Sequence, residues 1–245
     1  PFPDVIGFSN YMWNTELSSS FARLVKRHSP DTVVVFGGPH YPIESSDQEK
    51  FLKDRPEIDF YIVKEGEVAF WNLISQLTLA DNNIEDVKNQ NLLSVHAISS
   101  TGIANLTPIE KRLVQLDEIP SPYISGRLDE FFDGQLVPLL QTNRGCPFSC
   151  TFCVEGVDYY SKVRRYSTER VKADVAYIGQ YMDQIKDFRK RNDLFIADSN
   201  FGMYMEDLNT CKALAKEQEK TGYPKYISVT TGKNRQDSLG IMHNI

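Results

Sequence analysis

Three of the four cysteines in this 245-residue chain fall within eight residues: Cys146, Cys150 and Cys153, in Gly145-Cys-Pro-Phe-Ser-Cys-Thr-Phe-Cys153. Thiolates at C-x3-C-x2-C spacing on one loop can hold three corners of a cubic iron–sulfur cluster, and nothing nearby supplies a fourth thiolate. A four-iron cluster with one iron left unligated by protein keeps an open coordination position, which makes it a reagent rather than an electron relay. A structural zinc site wants a closed set of four ligands, commonly paired C-x2-C knuckles. Here there is a single C-x2-C, with no histidine within forty residues of it.

The residues before this loop alternate between strand and helix patterns. Val5–Phe8 is a short apolar run, and Thr15–His28 has Leu17, Phe21, Leu24 and Val25 on one helical face, which predicts that this face packs inward. Thr32–Phe36 is a continuous β-branched run, as expected of a strand buried on both sides. Ser46 and Glu49 read as a capping box for a short helix through Lys53. Asp59–Val63 is a further strand, and Glu67–Leu79 a helix with Phe70, Leu73, Ile74 and Leu77 inward. Such alternation predicts a parallel sheet flanked by helices, with ligands bound outside the carboxyl ends of its strands. Those ends carry Ser9-Asn10-Tyr11-Met12-Trp13, Gly37-Gly38-Pro39-His40 and Lys64-Glu65-Gly66-Glu67. Glycine there admits a large flat ligand close to the backbone.

Residues 81–136 read as a connector: a hairpin over Leu93–Ile98 and Ile103–Leu106, then a proline-stiffened strap, Asp117-Glu-Ile-Pro-Ser-Pro122. From residue 137 the pattern restarts with a strand, the cysteine loop and a helix over Thr168–Ile185. A strand Leu194–Ala197, a helix Asp207–Thr221 and a strand Tyr226–Thr230 follow. Cys211 sits in the helical pattern with Leu208 and Leu214 and reads as a core residue.

Leu139-Leu-Gln-Thr-Asn-Arg-Gly-Cys146-Pro-Phe-Ser-Cys150-Thr-Phe-Cys153 resembles the first strand and cluster loop of the radical S-adenosylmethionine (radical SAM) superfamily. With "GFSNYMWN", "VVVFGGPH" and "DFYIVKEGE" ahead of it, the chain resembles the branch that carries an N-terminal cobalamin-binding domain. The fold implied is α/β: a partial Rossmann-like, cobalamin-binding-type parallel sheet over 1–80, the connector over 81–136, and the first half of a radical SAM (β/α) partial TIM barrel over 137–245. Both domains are expected to be truncated, because Pro1-Phe-Pro-Asp runs almost straight into a strand and Gly240–Ile245 stops without a closing element.

The resemblance also implies the chemistry. Cys146, Cys150 and Cys153 would ligate a 4Fe-4S cluster whose open iron chelates S-adenosyl-L-methionine, and one electron would cleave it to a 5′-deoxyadenosyl radical. Phe152 corresponds to the family's aromatic that contacts adenine. Asp198, Ser199 and Asn200 stand where the superfamily often has a Gly-Gly-Glu stretch for the methionine amino group, so a carboxylate persists but no glycine pair. Ser228, Thr230 and Lys233 are candidates for the ribose or carboxylate. For cobalamin, the implied contacts are Ser9, Asn10, Tyr11, Trp13, Gly37, Gly38, Pro39, Glu65, Gly66 and Glu67. The D-x-H-x-x-G motif that carries a lower cobalt ligand is missing. The implied activity is methylation of an unactivated carbon or phosphorus centre in a small-molecule substrate, with an electron donor such as flavodoxin or ferredoxin.

Composition narrows the alternatives. A net charge of −6 and a pI near 5.3 argue against a broad nucleic-acid or anionic-membrane footprint. No apolar run reaches the roughly eighteen residues of a spanning helix, and four cysteines with three clustered fit a reducing cytoplasm. A methylthiotransferase would carry another cysteine trio in its first domain, and residues 1–136 contain no cysteine. A cobalamin-independent oxidoreductase or cyclase stays open, as does a non-catalytic electron-transfer module with the fourth iron capped by Cys211 or His28.

Overall fold

The computed structural model describes residues 2–81 and 83–232. The chain divides into two compact units, one up to Arg112 and one from Leu113 onward. The expected α/β architecture is present, and no helix among the described residues is long and apolar enough to cross a membrane.

The first unit is a five-stranded sheet in the order β1-β2-β3-β4-β5, made of β1 (Val5–Ser9), β2 (Val33–Gly37), β3 (Phe60–Ile62), β4 (Val95–Ile98) and β5 (Ala104–Leu106). The first three strands run parallel, joined by α1 (Thr15–His28) and α2 (Ser45–Lys53). After α3 (Glu67–Leu79) and α4 (Ile84–Lys88), β4 and β5 pair antiparallel onto β3, so the hairpin read as connector extends this sheet. Side chains alternate across β2: Val34 and Phe36 join Ala22, Leu52 and Tyr61 on one face, while Val33 and Val35 join Ala69, Leu73 and Leu77 on the other. Both faces are therefore dry, as the β-branched run requires.

Helix α1 has the expected length but a shifted phase: of the expected apolar face, Val25 packs against the core and the other three residues do not. It buries Thr15, Ser18, Ser19 and Ala22, leaving Leu17, Phe21 and Leu24 exposed at 61%, 52% and 45%. Small residues on the inner face let the helix settle close onto the large side chains of the sheet, with Ala22 packed among Val34, Phe36 and Tyr61. Helix α3 buries Ala69, Leu73 and Leu77 but leaves Phe70 exposed. The capping box at Ser46 does not form: α2 begins at Ser45 with Glu44 at the N-cap position and no side-chain cap, so Ser46 lies within the first turn.

The second unit has a parallel sheet in the order β10-β9-β6, of β6 (Leu139–Leu140), β9 (Asp193–Phe201) and β10 (Tyr226–Thr231). Helices α5 (Thr168–Gln184) and α6 (Asp207–Thr221) cover one face, where Leu140, Val171, Val175, Ile178, Met182, Leu194, Ile196 and Leu214 form the core. Cys211 is fully buried there, and burial pushes its thiol up to about 11, as befits an inert core residue. Along β10, Tyr226, Ser228 and Thr230 alternate outward from Ile227 and Val229, which pack against the core. Between β6 and α5, a two-stranded ribbon of β7 (Asn143–Arg144) and β8 (Arg164–Arg165) closes the neck of the cysteine loop. The proline strap docks on α5: Asp117 accepts from the Ser167 amide at 2.9 Å, and Arg170 donates to the Ile119 carbonyl at 2.8 Å.

Candidate functional site

Two places gather the chemistry-bearing residues, one in each unit. In the first unit an open groove of about 520 Å³ lies along the carboxyl ends of β1, β2 and β3. Its floor is backbone and apolar surface: Gly7, Phe8, Gly37, Gly38 and Ile62, with Phe70 on one wall. Of the expected contacts, Ser9, Gly37, Gly38, Gly66 and Glu67 line it. Lys64 lines it as well, in a left-handed conformation (φ 70°), with its ammonium lowered by burial. The sequence pattern places that lysine at the carboxyl end of a strand, but it does not show that its side chain joins the groove lining.

The remaining expected contacts do other work. Asn10 is wholly buried; its amide donates to the His40 carbonyl and, at 2.9 Å, to the Tyr61 hydroxyl, while its side-chain oxygen accepts from Thr15 at 2.8 Å. It braces the groove from behind. Tyr61, whose phenol is raised by burial, passes this support on by donating to the Gly38 carbonyl at 3.0 Å. Gly38 itself has φ 133°, and a Cβ there would stand 2.6 Å from the Asn10 carbonyl oxygen, so only glycine fits. Tyr11 and Trp13 stack on each other at 4.7 Å outside the groove lining, Glu65 pairs with Arg112 at 2.8 Å, and Pro39 is exposed beside the turn. The groove thus offers a flat, glycine-lined surface with a cation at its edge, which fits a large planar cofactor carrying polar appendages.

In the second unit the cysteines lie on the excursion closed by the β7–β8 ribbon. Gly145 turns the chain (φ 107°), and Cys146 is tied across the loop by its amide to the Tyr160 carbonyl at 3.0 Å. The Cys153 amide donates to the Cys150 carbonyl at 3.1 Å, and the Gly156 amide to the Cys153 carbonyl at 2.9 Å. All three thiols are free, Cys150 and Cys153 on the surface. Among the described residues no three histidine, cysteine, aspartate or glutamate side chains converge where one metal ion could be held. A cubic cluster asks for something else, since each thiolate takes its own iron, and a short loop of spaced thiols meets that demand. Two buried polar atoms also lack partners here, Nε of Arg164 on β8 and the hydroxyl of Tyr204. Burial raises the Tyr204 phenol, and the Cys146 thiolate nearby adds to the rise. An unanswered hydroxyl close enough to Cys146 to feel its charge fits a group that brings its own acceptors.

The structure places Asp198, Ser199 and Asn200 together, all turned to the cysteine loop. Asp198 is buried and accepts four hydrogen bonds: from the Thr142 and Asn143 amides at 2.8 and 3.2 Å, from Asn143 Nδ2 at 2.9 Å, and from the Thr142 hydroxyl. Burial nevertheless holds its carboxyl above the usual range. With both oxygens engaged by its own chain, Asp198 has little left for an external amine, in contrast to the sequence expectation. Ser199 donates to Glu155, two residues past Cys153, and Asn200 Nδ2 donates to Cys146 Sγ at 3.2 Å. β9 runs on through Phe201 rather than ending at Ala197, and Phe201 pairs there with Thr231 of β10. Phe152 is 92% exposed beside Cys153. Ser228 and Thr230 lie on the face of β10 away from the helices, and Lys233 lies outside the described residues.

Residues 2–74 match the B12 binding domain family. Across 97% of its length the chain is 36% identical to 2-(S-pantetheinyl)-carbapenam-3-carboxylate methyltransferase of Streptantibioticus cattleyicolor. It is 32% identical, over the same share, to the cobalamin-dependent radical SAM methyltransferase TokK of Streptomyces tokunonensis. The chain belongs to the cobalamin-binding radical SAM enzymes. It spans about a third of the length of these curated relatives, 33% of each. In fold it superposes on the apo form of the cobalamin-dependent S-adenosylmethionine radical enzyme OxsB with a TM-score of 0.70, at 21% identity, over 99% of this chain and 34% of that one. The residues matched to the B12 binding family hold all three strands whose ends form the groove.

Proposed function

We propose that this chain is the cofactor-holding part of a cobalamin-dependent radical SAM methyltransferase that methylates an unactivated carbon of a small-molecule biosynthetic intermediate. The observation that carries this reading is the pairing of two features within one chain: a three-thiol loop braced by β9, and a glycine-lined groove at the carboxyl edge of a B12-type sheet. The two relatives above are named as methyltransferases, one of them for a carbapenam carboxylate, which supports both the reaction type and a small, functionalised substrate.

Cys146, Cys150 and Cys153 would hold a 4Fe-4S cluster, and the groove lined by Ser9, Gly37, Gly38, Lys64, Gly66 and Glu67 would hold cobalamin. Bound together with S-adenosyl-L-methionine, these groups supply hydrogen abstraction from carbon and delivery of a methyl group. The chain's own residues position and shield. Asp198 fixes the entry to the cysteine loop through Thr142 and Asn143, and Glu155 receives Ser199 just beyond its exit. Phe152 offers an apolar surface beside the last thiol, suited to cover an adenine. Ser228 and Thr230 present hydroxyls on the open face of the sheet, suited to a ribose or carboxylate. Asn10 and Tyr61 keep the Gly37-Gly38 turn in the shape that leaves the groove open. An electron donor of the flavodoxin or ferredoxin kind would supply the reducing electron, and a reducing cytoplasm suits the exposed free thiols.

The test is anaerobic reconstitution of the whole protein containing this chain with iron, sulfide and hydroxocobalamin. The expected result is about four irons per chain, as a [4Fe–4S] cluster requires, one cobalt, and release of 5′-deoxyadenosine from S-adenosyl-L-methionine on reduction. Cys146→Ala, Cys150→Ala or Cys153→Ala should each abolish that release while leaving cobalt bound. Stoichiometric zinc in place of iron, or turnover that survives loss of a cysteine, overturns the reading.

A further inference from the structure

We propose that Asn200 is a positioning residue that sets the reduction potential of the cluster through its hydrogen bond to Cys146; the inference rests on the reading that the cysteine trio holds a cluster. Asn200 lies near the end of β9, directly after two residues that fasten the loop at either end, Asp198 at Thr142–Asn143 and Ser199 at Glu155. Its backbone carbonyl accepts from the Met203 backbone amide at 3.2 Å, which fixes the main chain there. The side chain is thereby aimed at Cys146 Sγ, with Nδ2 at 3.2 Å. Of the three thiols, Cys146 is the half-buried one, whereas Cys150 and Cys153 face solvent. An N–H aimed at a partly desolvated sulfur acts with little screening by water.

The direction of the effect follows from charge. Reduction adds an electron to a cluster that already carries thiolate charge, and a hydrogen bond donated to sulfur stabilises the more negative state more. The Asn200 amide therefore eases reduction. Removing the donor should make the potential more negative, and placing a carboxylate there should lower it further. The sequence offered no hint of this, because the contact joins residues 54 apart and places an asparagine where the resemblance implied a ligand-binding stretch.

The experiment uses the whole protein as wild type, Asn200→Leu and Asn200→Asp, each reconstituted without oxygen and titrated with reductant while the reduced cluster is followed by electron paramagnetic resonance. No substrate is needed, so the readout is independent of turnover. The expected order of midpoint potentials is wild type, then Leu, then Asp, with the leucine variant reduced about tenfold less readily, equivalent to 59 mV for a one-electron couple. Equal potentials in wild type and Asn200→Leu overturn the role of Asn200 and leave the cluster reading standing. A wild type that binds no iron overturns the cluster reading instead. If Asn200→Leu takes up no cluster, Asn200→Ala replaces it under the same expectation; should that also fail to load while Asn200→Asp loads at the wild-type potential, the side chain only shapes the loop and the proposal falls.

Discussion

Removing the Asp198 carboxylate should loosen the start of the cysteine loop while leaving the rest of its sheet intact. In Asp198→Ala two buried backbone amides, those of Thr142 and Asn143, lose the acceptor they use at 2.8 and 3.2 Å. The two side-chain donors suffer less, because Asn143 Nδ2 already reaches the Thr142 hydroxyl at 3.2 Å and the pair can satisfy each other. Each orphaned buried amide costs about 1–3 kcal/mol, so the gross loss is about 2–6 kcal/mol. Against this stands the relief of a buried carboxylate whose burial already raises its proton affinity, leaving a net loss of about 2–4 kcal/mol. A chain with two compact units need not unfold in one step, so a denaturant midpoint is a poor reporter. Amide hydrogen exchange read by mass spectrometry over residues 139–146 is local. At tenfold per 1.4 kcal/mol it should quicken roughly 30- to 700-fold, while residues 33–37 in the other unit keep their rates. Asp198→Asn, which retains one oxygen facing both amides, should lose only about 1 kcal/mol. Less than about a threefold change in Asp198→Ala, below 0.7 kcal/mol by the same conversion, would refute the idea that this carboxylate holds the loop entry.

Gly38→Ala should cost about 1–3 kcal/mol and weaken cobalt retention, since the new Cβ meets the Asn10 carbonyl at 2.6 Å in a left-handed turn; unchanged cobalt content and thermal midpoint would count against the groove assignment. Gly156→Ala should cut iron uptake sharply, because its Cβ would lie 2.1 Å from the Cys150 carbonyl oxygen and force the two halves of the loop apart. On α1, Leu17→Ala and Phe21→Ala should change stability by no more than about 0.5 kcal/mol, whereas Ala22→Leu should cost about 1–3 kcal/mol by overpacking; amide hydrogen exchange over residues 33–37, the strand that α1 packs on, distinguishes the two phases of the helix. Burial raises the Asp207 carboxyl above its ordinary value, so the folded state holds that proton more tightly than the unfolded chain. Its contribution to stability is complete below about pH 4 and fades as pH climbs through the raised value. Asp207→Asn should remove that slope from the exchange-derived stability of residues 193–201.

What the sequence made legible, and what it hid, divides along the range of the interaction. Cysteine spacing is a local property of one loop, and it pointed to the second candidate site without any tertiary information. The β-branched run at β2 is likewise local, and the strand buries the residues that its pattern specifies. Helix α1 shows where a local pattern stops. Its apolar period fixes a helix, but the phase depends on what the sheet presents, and a surface already filled by Phe36 and Tyr61 accepts Ala22 and Ser18–Ser19 in preference to Leu and Phe. Asp198 marks the limit from the opposite side. A carboxylate at a strand end reads as a free ligand group, yet its partners lie 55 and 56 residues away and consume both oxygens. The same holds for Asn10, which reads as a groove contact and instead stands behind the groove, held by Tyr61 from 51 residues away. Polar residues at the carboxyl ends of strands therefore serve two masters, the ligand and the loops that frame it, and only the long-range hydrogen bonds show which. In this chain the framing role takes Asn10, Asp198, Ser199 and Asn200. The groove lining is left to glycine backbone and Lys64, and substitutions of Asn10, Asp198 and Ser199 should loosen the turns and the loop that they fasten.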